Sequence, residues 1–389
     1  MPKRFVYILI MNRILIVGGI KDNHLKRLIH NIRKHDQPKE LIIDSFNIVA
    51  YEHEADSNYN NQFYIKKHFG KWLYNIKYLR YFIHLFDIYY SFFKIPFKYD
   101  LINIHYVTNT HYLLFPLFKL KSRKIMITPW GSDVYRIDNK TTNKFQRLYK
   151  HSDFVSVPPI KFKDDIKNKF RIGEDKIIDL GFGSEIIDLL INNKKSQSEA
   201  KKALDCLNYY LITCGYNRNP AQNHIAIIDG LIKIKKNLPP NTMLLFPLTY
   251  GPQNENYLIE LKKLLDESGF KYKLFESYLS NDDIMNIRIA SDIFIHIQNT
   301  DAYSATVQEF LYTNTWVING DWTRYPTLEI NEIPYITVNY IKEFPEQIIK
   351  YISYDKSSTL ISSRTKEIIA KNSWTNKSLY WYLFYKNLK

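Results

Sequence analysis

Apolar and polar positions along the chain alternate in a pattern that occurs twice. Short apolar runs rich in β-branched and aromatic residues precede segments with apolar residues at helical spacing, which is typical of strands alternating with helices. In the first half the predicted strands are residues 13–17, 41–43, 101–105, 124–128, 151–157 and 177–181. In the second half they are residues 209–213, 243–248, 273–275, 292–297 and 316–318. This order predicts two successive α/β halves.

Helical spacing separates these runs and also closes the chain. The predicted helices are residues 25–32, 111–120, 161–170, 225–234, 257–265, 305–312 and 373–385. Residues 192–202 are polar, rich in Lys, Ser and Gln, and have no apolar period, so we interpret them as part of a connection between domains. Residues 1–10 are interpreted as an extension ahead of the first strand.

The stretch 291–320 reads as strand, loop, helix and strand, and it contains the first candidate site. In a parallel sheet its loop lies at the carboxyl end of a strand, where free N–H groups at the start of the next helix bind anions. The N–H groups of Ser304, Ala305 and Thr306 are therefore candidates for holding a diphosphate. Asp301 and Glu309 flank the helix start, and an acid there can reach a ribose diol. The arrangement suits a nucleoside diphosphate.

Asp301 also begins the run Asp-Ala-Tyr-Ser-Ala-Thr-Val-Gln-Glu, which ends at Glu309. This run resembles the motif of glycosyltransferase family 4, in which an acid, a small residue, an aromatic and a small residue precede a Glu eight positions after the first acid. Tyr303 is the aromatic residue of the motif. The family usually has Glu in the place of Asp301 and Gly in the place of Ala302, and often Gly in the place of Ser304.

A second loop, after the predicted strand 124–128, extends this resemblance. In family 4 a strand ending in His, a short helix and a further strand lead to a His-Gly loop with an acid that faces the donor sugar. Here the first strand ends at His105, and Gly131 and Asp133 match the loop. Trp130 stands in the place of the family's loop His, which favours a less polar, for example 6-deoxy, sugar.

Glycine-rich turns follow the first strand of each half. Gly18 and Gly19 allow a backbone to approach a ligand closely. The loop that starts at Gly215 corresponds to the family 4 loop whose Arg and Lys bind the donor phosphates. Arg218 is the only cation between Gly215 and His224, and the resemblance assigns it this role. Trp130-Gly-Ser-Asp and Asn-His at 223–224 also resemble family 56, whose known member adds an acetamido-dideoxyhexose to a lipid-linked acceptor.

The resemblance to family 4 implies the GT-B architecture. Two Rossmann-like domains would face each other across a cleft, and a C-terminal helix would cross back to the first domain. The implied boundaries are residues 1–190 for an acceptor domain, 191–206 for a linker, 207–370 for a nucleotide-sugar domain and 371–389 for the crossing helix. No Asp-x-Asp triplet occurs, so we expect no metal and no cofactor.

The stereochemistry of transfer stays open at this point. Family 4 implies retention of the anomeric configuration, whereas family 56 implies inversion with a general base on the first domain. Asp133 and His105 are the candidate bases, and Asp301 is the third catalytic candidate. The donor would be a nucleotide-diphosphate sugar. The acceptor would be a glycan or a lipid-linked molecule in cell-surface polysaccharide biosynthesis.

The composition adds a third partner to this picture. The 389 residues carry a formal net charge of +15, which indicates an anionic partner. Residues 62–98 are crowded with aromatic and basic side chains, which form either helices packed on the sheet or a face for an anionic membrane surface. No apolar run is long enough to span a bilayer, and the two cysteines form no framework. We therefore expect a cytoplasmic protein, peripheral at the inner face of the membrane.

Two other functions remain open from the sequence. A nucleotide-sugar epimerase uses the same fold and needs no acceptor. A basic membrane-binding or nucleic-acid-binding protein with an inactive transferase fold would explain the charge without catalysis. No helix-turn-helix, zinc or RNA-binding signature supports a nucleic-acid partner.

Overall fold

The computed structural model describes residues 11–19, 23–37, 39–49, 51, 55–157, 160–301, 303–353 and 362–388. Residues 1–10 and Ala302, both discussed above, lie outside the described residues. The strands are β1 Asn12–Gly18, β2 Leu41–Asn47, β3 Gln62–Tyr64, β4 Tyr99–His105, β5 Ser122–Thr128, β6 Phe154–Ser156, β7 Ile177–Ile178, β8 Tyr210–Cys214, β9 Thr242–Pro247, β10 Lys271–Phe275, β11 Ile293–His296, β12 Trp316–Gly320 and β13 Ile336–Val338.

Helices separate most of these strands. In chain order they are α1 Asn23–His35, α2 Leu79–Phe93, α3 Asn109–Lys121, α4 Ser132–Tyr135, α5 Asn139–His151, α6 Ile160–Phe170, α7 Glu185–Asn192, α8 Gln197–Ala203, α9 His224–Lys233, α10 Glu255–Ser268, α11 Asn281–Ala290, α12 Ala305–Tyr312, α13 Pro326–Ile330, α14 Phe344–Ile352, α15 Ser363–Ala370 and α16 Trp374–Lys386. No helix in the described part of the chain is long and apolar enough to cross a membrane.

The chain divides into two compact units. The first unit is Met1–Gly183 with Trp374–Lys389, and the second unit is Ser184–Ser373. The sheet of the first unit has the order β3-β2-β1-β4-β5-β6-β7, and the sheet of the second has the order β10-β9-β8-β11-β12-β13. Every strand pair is parallel. Strand order reverses between β1 and β4 in one sheet and between β8 and β11 in the other, where ligands of such sheets bind.

Helices cover both faces of each sheet, and this explains the apolar strands. In β1, Ile14 and Ile16 pack in one buried cluster, while Leu15 and Val17 pack in another. In β11, Ile295 and Phe294 likewise belong to different clusters. A parallel strand covered on both faces needs apolar residues at successive positions, and the sequence pattern therefore predicted these strands well.

The last helix, α16, belongs to the first unit although the whole second unit precedes it in the sequence. Trp381 and Tyr385 are fully buried against the first sheet. The indole N–H of Trp381 donates to the carbonyl of Gly181 at 2.8 Å, and the Tyr385 hydroxyl accepts from Asn103 at 2.8 Å. The predicted crossing helix is confirmed.

The boundary between the units differs from the predicted one. It falls between Gly183 and Ser184, and the second unit starts with α7 and α8. Residues 191–206, which we interpreted as a linker, contain α8 and continue into Leu204 and Cys206, which are buried in the second core. The helix was not evident from the sequence because few of its side chains, Ala200 among them, face this core.

The segment 62–98 packs on the sheet through one side of a helix only. It forms β3, a short 3-10 helix at Lys71–Asn75 and α2. In α2 the buried residues are Ile83, Asp87, Ile88 and Phe92, while Phe82 and Phe93 are 66% and 63% exposed.

Helix α5 was not predicted from the sequence. It ends at His151, which we interpreted as the first residue of a strand at residues 151–157.

The buried indole of Trp381 allows a test of how much the packing of α16 stabilises the first unit. We expect Trp381→Ala to lower the free energy of unfolding of the first unit by about 3 to 5 kcal/mol, because a large buried aromatic side chain is lost. Tyr380→Ala, at a neighbouring position that is 50% exposed, should change it by about 0.5 kcal/mol or less. Urea unfolding followed by circular dichroism measures both. Equal, small effects would show that α16 is not part of the first core.

Candidate functional site

The second unit contains the predicted strand, loop, helix and strand of 291–320 as β11, α12 and β12. Ser304 is the N-cap of α12, and its hydroxyl accepts from the N–H of Val307 at 3.3 Å. The N–H groups of Ala305 and Thr306 are the first two of the helix, where no carbonyl of the helix can accept them. A helix start with this capping residue presents those two donors at the carboxyl edge of the sheet, where an anion can bind.

Glu309 lies inside α12 and is 5% exposed. One carboxylate oxygen, Oε2, accepts from Nε of Arg288 at 2.9 Å, and the other, Oε1, accepts from the hydroxyl of Ser184 at 2.7 Å. The Arg288 guanidinium also lies over the ring of Phe310, 4.5 Å from its centroid. A carboxylate can accept about four hydrogen bonds, so two protein donors leave Glu309 able to accept more. The buried pair holds this carboxylate in one place.

Asp301 lies in the loop between β11 and α12, and its side chain is 13% exposed. The Tyr325 hydroxyl donates to its Oδ2. Nε2 of His296, the last residue of β11, lies 3.5 Å from the same oxygen. Burial, followed by the charge of Asp301, raises the pKa of Tyr325 well above its ordinary value, so the phenol keeps its proton. The ring of Tyr303 packs edge-on against that of Tyr325, 5.8 Å between centroids.

Gly215 directly follows β8, which pairs with β11, and has a φ of +64°, which favours glycine. A Cβ there would lie 2.7 Å from Nε2 of His224 and 3.0 Å from Oε1 of Gln222, so a side chain would also clash. The following loop is bound to the loop after β11, since Nδ2 of Asn223 donates to the carbonyl of Ile297 at 2.6 Å. The two loops therefore share one edge of the sheet.

Arg218, predicted to bind donor phosphates, contacts protein atoms in this structure. Its guanidinium donates to the carbonyl of Leu248 at 3.2 Å, to Gln253 Oε1 at 2.9 Å and to the carbonyl of Glu276 at 3.1 Å. These contacts connect the ends of β9 and β10. Arg218 has five N–H donors, of which these bonds use three. Its phosphate role stays a prediction, and its structural role is to fix the loops.

In the first unit, Gly18 and His105 end the central strands β1 and β4. A Cβ on Gly18 would lie 2.9 Å from the Leu25 side chain and 3.5 Å from Cβ of His105, so the strand ends lie close together. His105 is 1% exposed, and its ring stacks on Trp381 with 6.2 Å between centroids. Burial lowers the pKa of His105 to about 3, which keeps the imidazole neutral. Gly19 follows Gly18 at the same edge.

Asp133, the other candidate base, organises its own loop. Oδ1 accepts from the N–H of Trp130 at 2.8 Å and of Gly131 at 3.0 Å, and Oδ2 accepts from the N–H of Val107 at 2.9 Å. Gly131 has a φ of 104°, which the turn requires. Asp133 is 2% exposed, and burial raises its pKa against the opposing effect of these N–H groups. The structure thus places Asp133 as a residue that positions Trp130.

Trp130 lies among aromatic rings. Its ring centroid is 5.6 Å from that of His24, 5.7 Å from those of Tyr106 and Phe182, and 6.4 Å from that of His105. The buried indole nitrogen and both ring nitrogens of His105 have no hydrogen-bond partner among the described residues. Buried polar atoms of this kind are normally satisfied, and a bound polar molecule is one way to satisfy them.

The predicted residues therefore fall into two groups. Asp301, Tyr303, Ser304, Ala305, Thr306 and Glu309 lie together in the second unit with Gly215 and Arg218 on the adjoining loop. Gly18, Gly19, His105, Trp130, Gly131 and Asp133 lie together in the first. Four contact residues of the second group were missed: Ser184, Arg288, His296 and Tyr325. They come from separate elements, and no spacing in the sequence relates them to Asp301 or Glu309.

Comparisons with known proteins agree with this description. Residues 13–155 match the family described as Glycosyl transferase 4-like. No curated protein matches the sequence significantly. Among solved structures, a sucrose-phosphate synthase from Thermosynechococcus elongatus is 13% identical, with a TM-score of 0.72 over 97% of this chain and 99% of that one.

Two further structures cover nearly the whole chain. A glycosyltransferase from Rickettsia africae is 16% identical, with a TM-score of 0.67 over 97% of this chain and 98% of that one. HepE from Anabaena, in complex with UDP and glucose, is 12% identical, with a TM-score of 0.67 over 96% and 99%. At such identities the structural likeness concerns the fold, and the family match concerns the first unit. The predicted resemblance and the GT-B fold are confirmed: residues 13–155 are similar to the Glycosyl transferase 4-like family, and the whole chain shares the fold of these glycosyltransferase structures.

Proposed function

We propose that the second unit binds a nucleotide-diphosphate sugar and that the sugar is transferred to a glycan or lipid-linked acceptor at an anionic membrane surface, in cell-surface polysaccharide biosynthesis. The observation that carries the donor assignment is the buried carboxylate of Glu309 inside α12. Arg288 and Ser184 fix it at 2.9 Å and 2.7 Å, just behind the capped start of the helix. Burying a carboxylate is unfavourable unless it is paired, and such sites often serve a ligand.

Each part of the donor would meet a different group. The N–H groups of Ala305 and Thr306 would bind the diphosphate, Glu309 would accept from the ribose hydroxyls, and Asp301 would contact the sugar. The structure of HepE with UDP and glucose, which has the same fold, supports a donor of this class. We propose that the helix start stabilises the leaving diphosphate without a metal, because charge develops there during transfer.

The acceptor would bind to the first unit, as the GT-B architecture implies, while Gly18, Gly19 and Trp130 stay predictions for binding the donor. Retention of configuration, which the resemblance to family 4 favours, needs no base on this unit. Should transfer invert the configuration, His105 and Asp133 are the candidate bases; both ring nitrogens of His105 lack partners among the described residues, but burial lowers its pKa to about 3 and so weakens it as a base. Asp133 already accepts three backbone N–H groups. NMR of the product anomer distinguishes the two courses.

The membrane part of the proposal depends on the exposed side of α2 and the segment ahead of it. We call this the aromatic-basic surface. Its exposed aromatic members are Phe69, Trp72, Tyr78, Tyr81, Phe82, Phe86, Tyr90 and Phe93. Lysine ammonium groups flank the rings; that of Lys77 lies 5.9 Å from the Tyr78 centroid and that of Lys121 lies 5.6 Å from the Phe93 centroid. Exposed aromatic rings can enter the headgroup region of a membrane, and the neighbouring lysines can attract its anionic lipids.

Glu309→Gln tests the donor site. The substitution keeps the shape but removes the charge that strengthens the ribose hydrogen bonds, so the affinity for UDP should fall by about 2 to 4 kcal/mol, or roughly 30-fold to 1,000-fold. Calorimetric titration measures this at a temperature at which both proteins are folded.

A thermal-shift panel of nucleoside diphosphates identifies the preferred base beforehand. Ligand at about 100 times its Kd adds about 2.7 kcal/mol to the free energy of unfolding.

The matched control is Asp292→Asn. Asp292 is a largely buried carboxylate paired with Lys201 at 2.7 Å, and it precedes β11 at the opposite edge of the same sheet. Both substitutions break a buried ion pair and should destabilise the protein, but only Glu309→Gln should weaken nucleotide binding. Unchanged affinity for UDP in Glu309→Gln would refute the proposed donor site.

A separate assay tests the epimerase alternative. Conversion of the nucleotide sugar without any acceptor would indicate an epimerase.

The aromatic-basic surface predicts binding to anionic vesicles. The protein should bind phosphatidylserine-containing liposomes at low salt and leave them at high salt, because each cation near the surface contributes about 1 kcal/mol and is screened. Replacing Trp72 and Phe82 by Ser should weaken binding at every salt concentration. The control replaces Tyr278 and Tyr340, exposed aromatics of the second unit, and should bind as the wild type does. Equal binding to neutral vesicles would contradict the charge argument.

A further inference from the structure

His296, the last residue of β11, is fully buried and lies opposite Asn319 of β12 in the register of the sheet. Its Nδ1 is 2.6 Å from Oδ1 of Asn319. The amide nitrogen of Asn319 lies 3.0 Å from the carbonyl oxygen of Gly320 and 3.1 Å from that of Thr323. Carbonyl oxygens only accept, so the amide nitrogen must face them and Oδ1 must face the histidine.

This contact fixes the tautomer of His296. An amide oxygen can only accept, so Nδ1 of His296 carries a proton and donates it to Asn319. In a neutral imidazole the other nitrogen, Nε2, then has a lone pair and no proton. Nε2 has no hydrogen-bond partner among the described residues.

Nε2 nevertheless faces Asp301, with 3.5 Å between it and Oδ2. A lone pair and a carboxylate oxygen repel each other, and this repulsion is stronger in a buried place than in water. One proton between Nε2 and Oδ2 converts the repulsion into a hydrogen bond. The pair then has no net charge, whichever of the two atoms holds the proton.

We propose that His296 and Asp301 share one proton and that His296 is a positioning residue for Asp301. Without this proton the carboxylate would be pushed away from its place beside Tyr325. The shared proton itself does not depend on the proposed function. Its consequence, a fixed contact from Asp301 to the donor sugar, rests on that function.

The other titratable groups around the pair keep their protons at moderate pH. Tyr216, from the end of β8, stacks on His296 with 5.9 Å between ring centroids, and Tyr325 donates to Asp301. Tyr335 packs against Tyr325. Burial raises the pKa of all three phenols. Burial, the largest effect, lowers the pKa of His296, while the charge of Asp301 and the contact with Asn319 oppose this by raising it.

The test compares the pH dependence of stability in the wild type and in His296→Gln, by urea unfolding of the full chain between pH 5 and 9. Above about pH 6.5 an unfolded histidine and aspartate together hold no proton. A native pair that keeps one must release it on unfolding. The wild type should therefore lose stability relative to the variant as pH rises above this value, by up to about tenfold in the unfolding equilibrium constant per pH unit.

The alternative predicts a trend in another pH range. If native His296 is neutral and no proton is shared, the unfolded chain gains the proton below about pH 6.5, and relative stability rises with pH up to that value and is flat above it. That result would overturn the proposal. Asp301→Asn removes the same shared proton at a partly exposed side chain, so it should also remove the decrease of stability with pH. This variant replaces His296→Gln if that protein does not fold. His224→Gln, at a buried histidine outside the pair, should retain the slope.

The positioning role has its own measurement. The affinity for UDP-glucose should fall as pH rises through the window in which stability falls, whereas the affinity for UDP, which lacks the sugar, should not follow it. If stability falls with pH but the ratio of the affinities for UDP-glucose and UDP stays constant, the positioning role is overturned. Loss of UDP binding is the subject of the Glu309 test, so failure of the proposed function and failure of this inference give different results.

Discussion

Both sheets are parallel and are covered by helices on both faces, and this limits where polar chemistry can lie. Strands such as β1 and β11 bury successive side chains in two separate cores. Polar groups are therefore concentrated at strand ends and in the loops that follow them. Asp44 of β2 and Asn103 of β4 are buried polar residues inside strands, whereas His105 and His296 lie at the carboxyl ends of theirs.

The sequence predicted the parts of the fold that depend on neighbouring residues. The start of α12 at Ala305 was predicted because a polar turn precedes an apolar helical period; the capping role of Ser304 is evident only in the structure. Most strands were predicted because each is a compact apolar run, whereas the three-residue strands β3 and β13 were not predicted. The crossing helix α16 was predicted from its aromatic content and from the resemblance, although its contacts with Gly181 and Asn103 span much of the chain.

Contacts between distant elements were not predictable in the same way. Arg218 has the charge and the loop position expected of a phosphate ligand, yet its guanidinium binds two backbone carbonyls and Gln253. Asp133 has the position of a reacting acid, yet three backbone N–H groups occupy it. Arg288 lies in a helix with no motif of its own, and only the folded structure brings it to Glu309. For Arg218 and Arg288, partners that are distant in the sequence determine the contacts that the side chain makes.

The position of α16 affects how the protein is made. Ribosomes synthesise residues 1–183 before the second unit, but Trp381 and Tyr385, which fill the core of the first unit, are synthesised after it. At about 5 to 20 residues per second, the intervening 190 residues keep the nascent first unit incomplete for roughly ten to forty seconds. During that time the apolar surface under α16 is open to water, and chaperones can bind there. The second unit is contiguous in sequence, so it can fold as soon as it leaves the ribosome. The first unit can complete its core only after α16 has been synthesised.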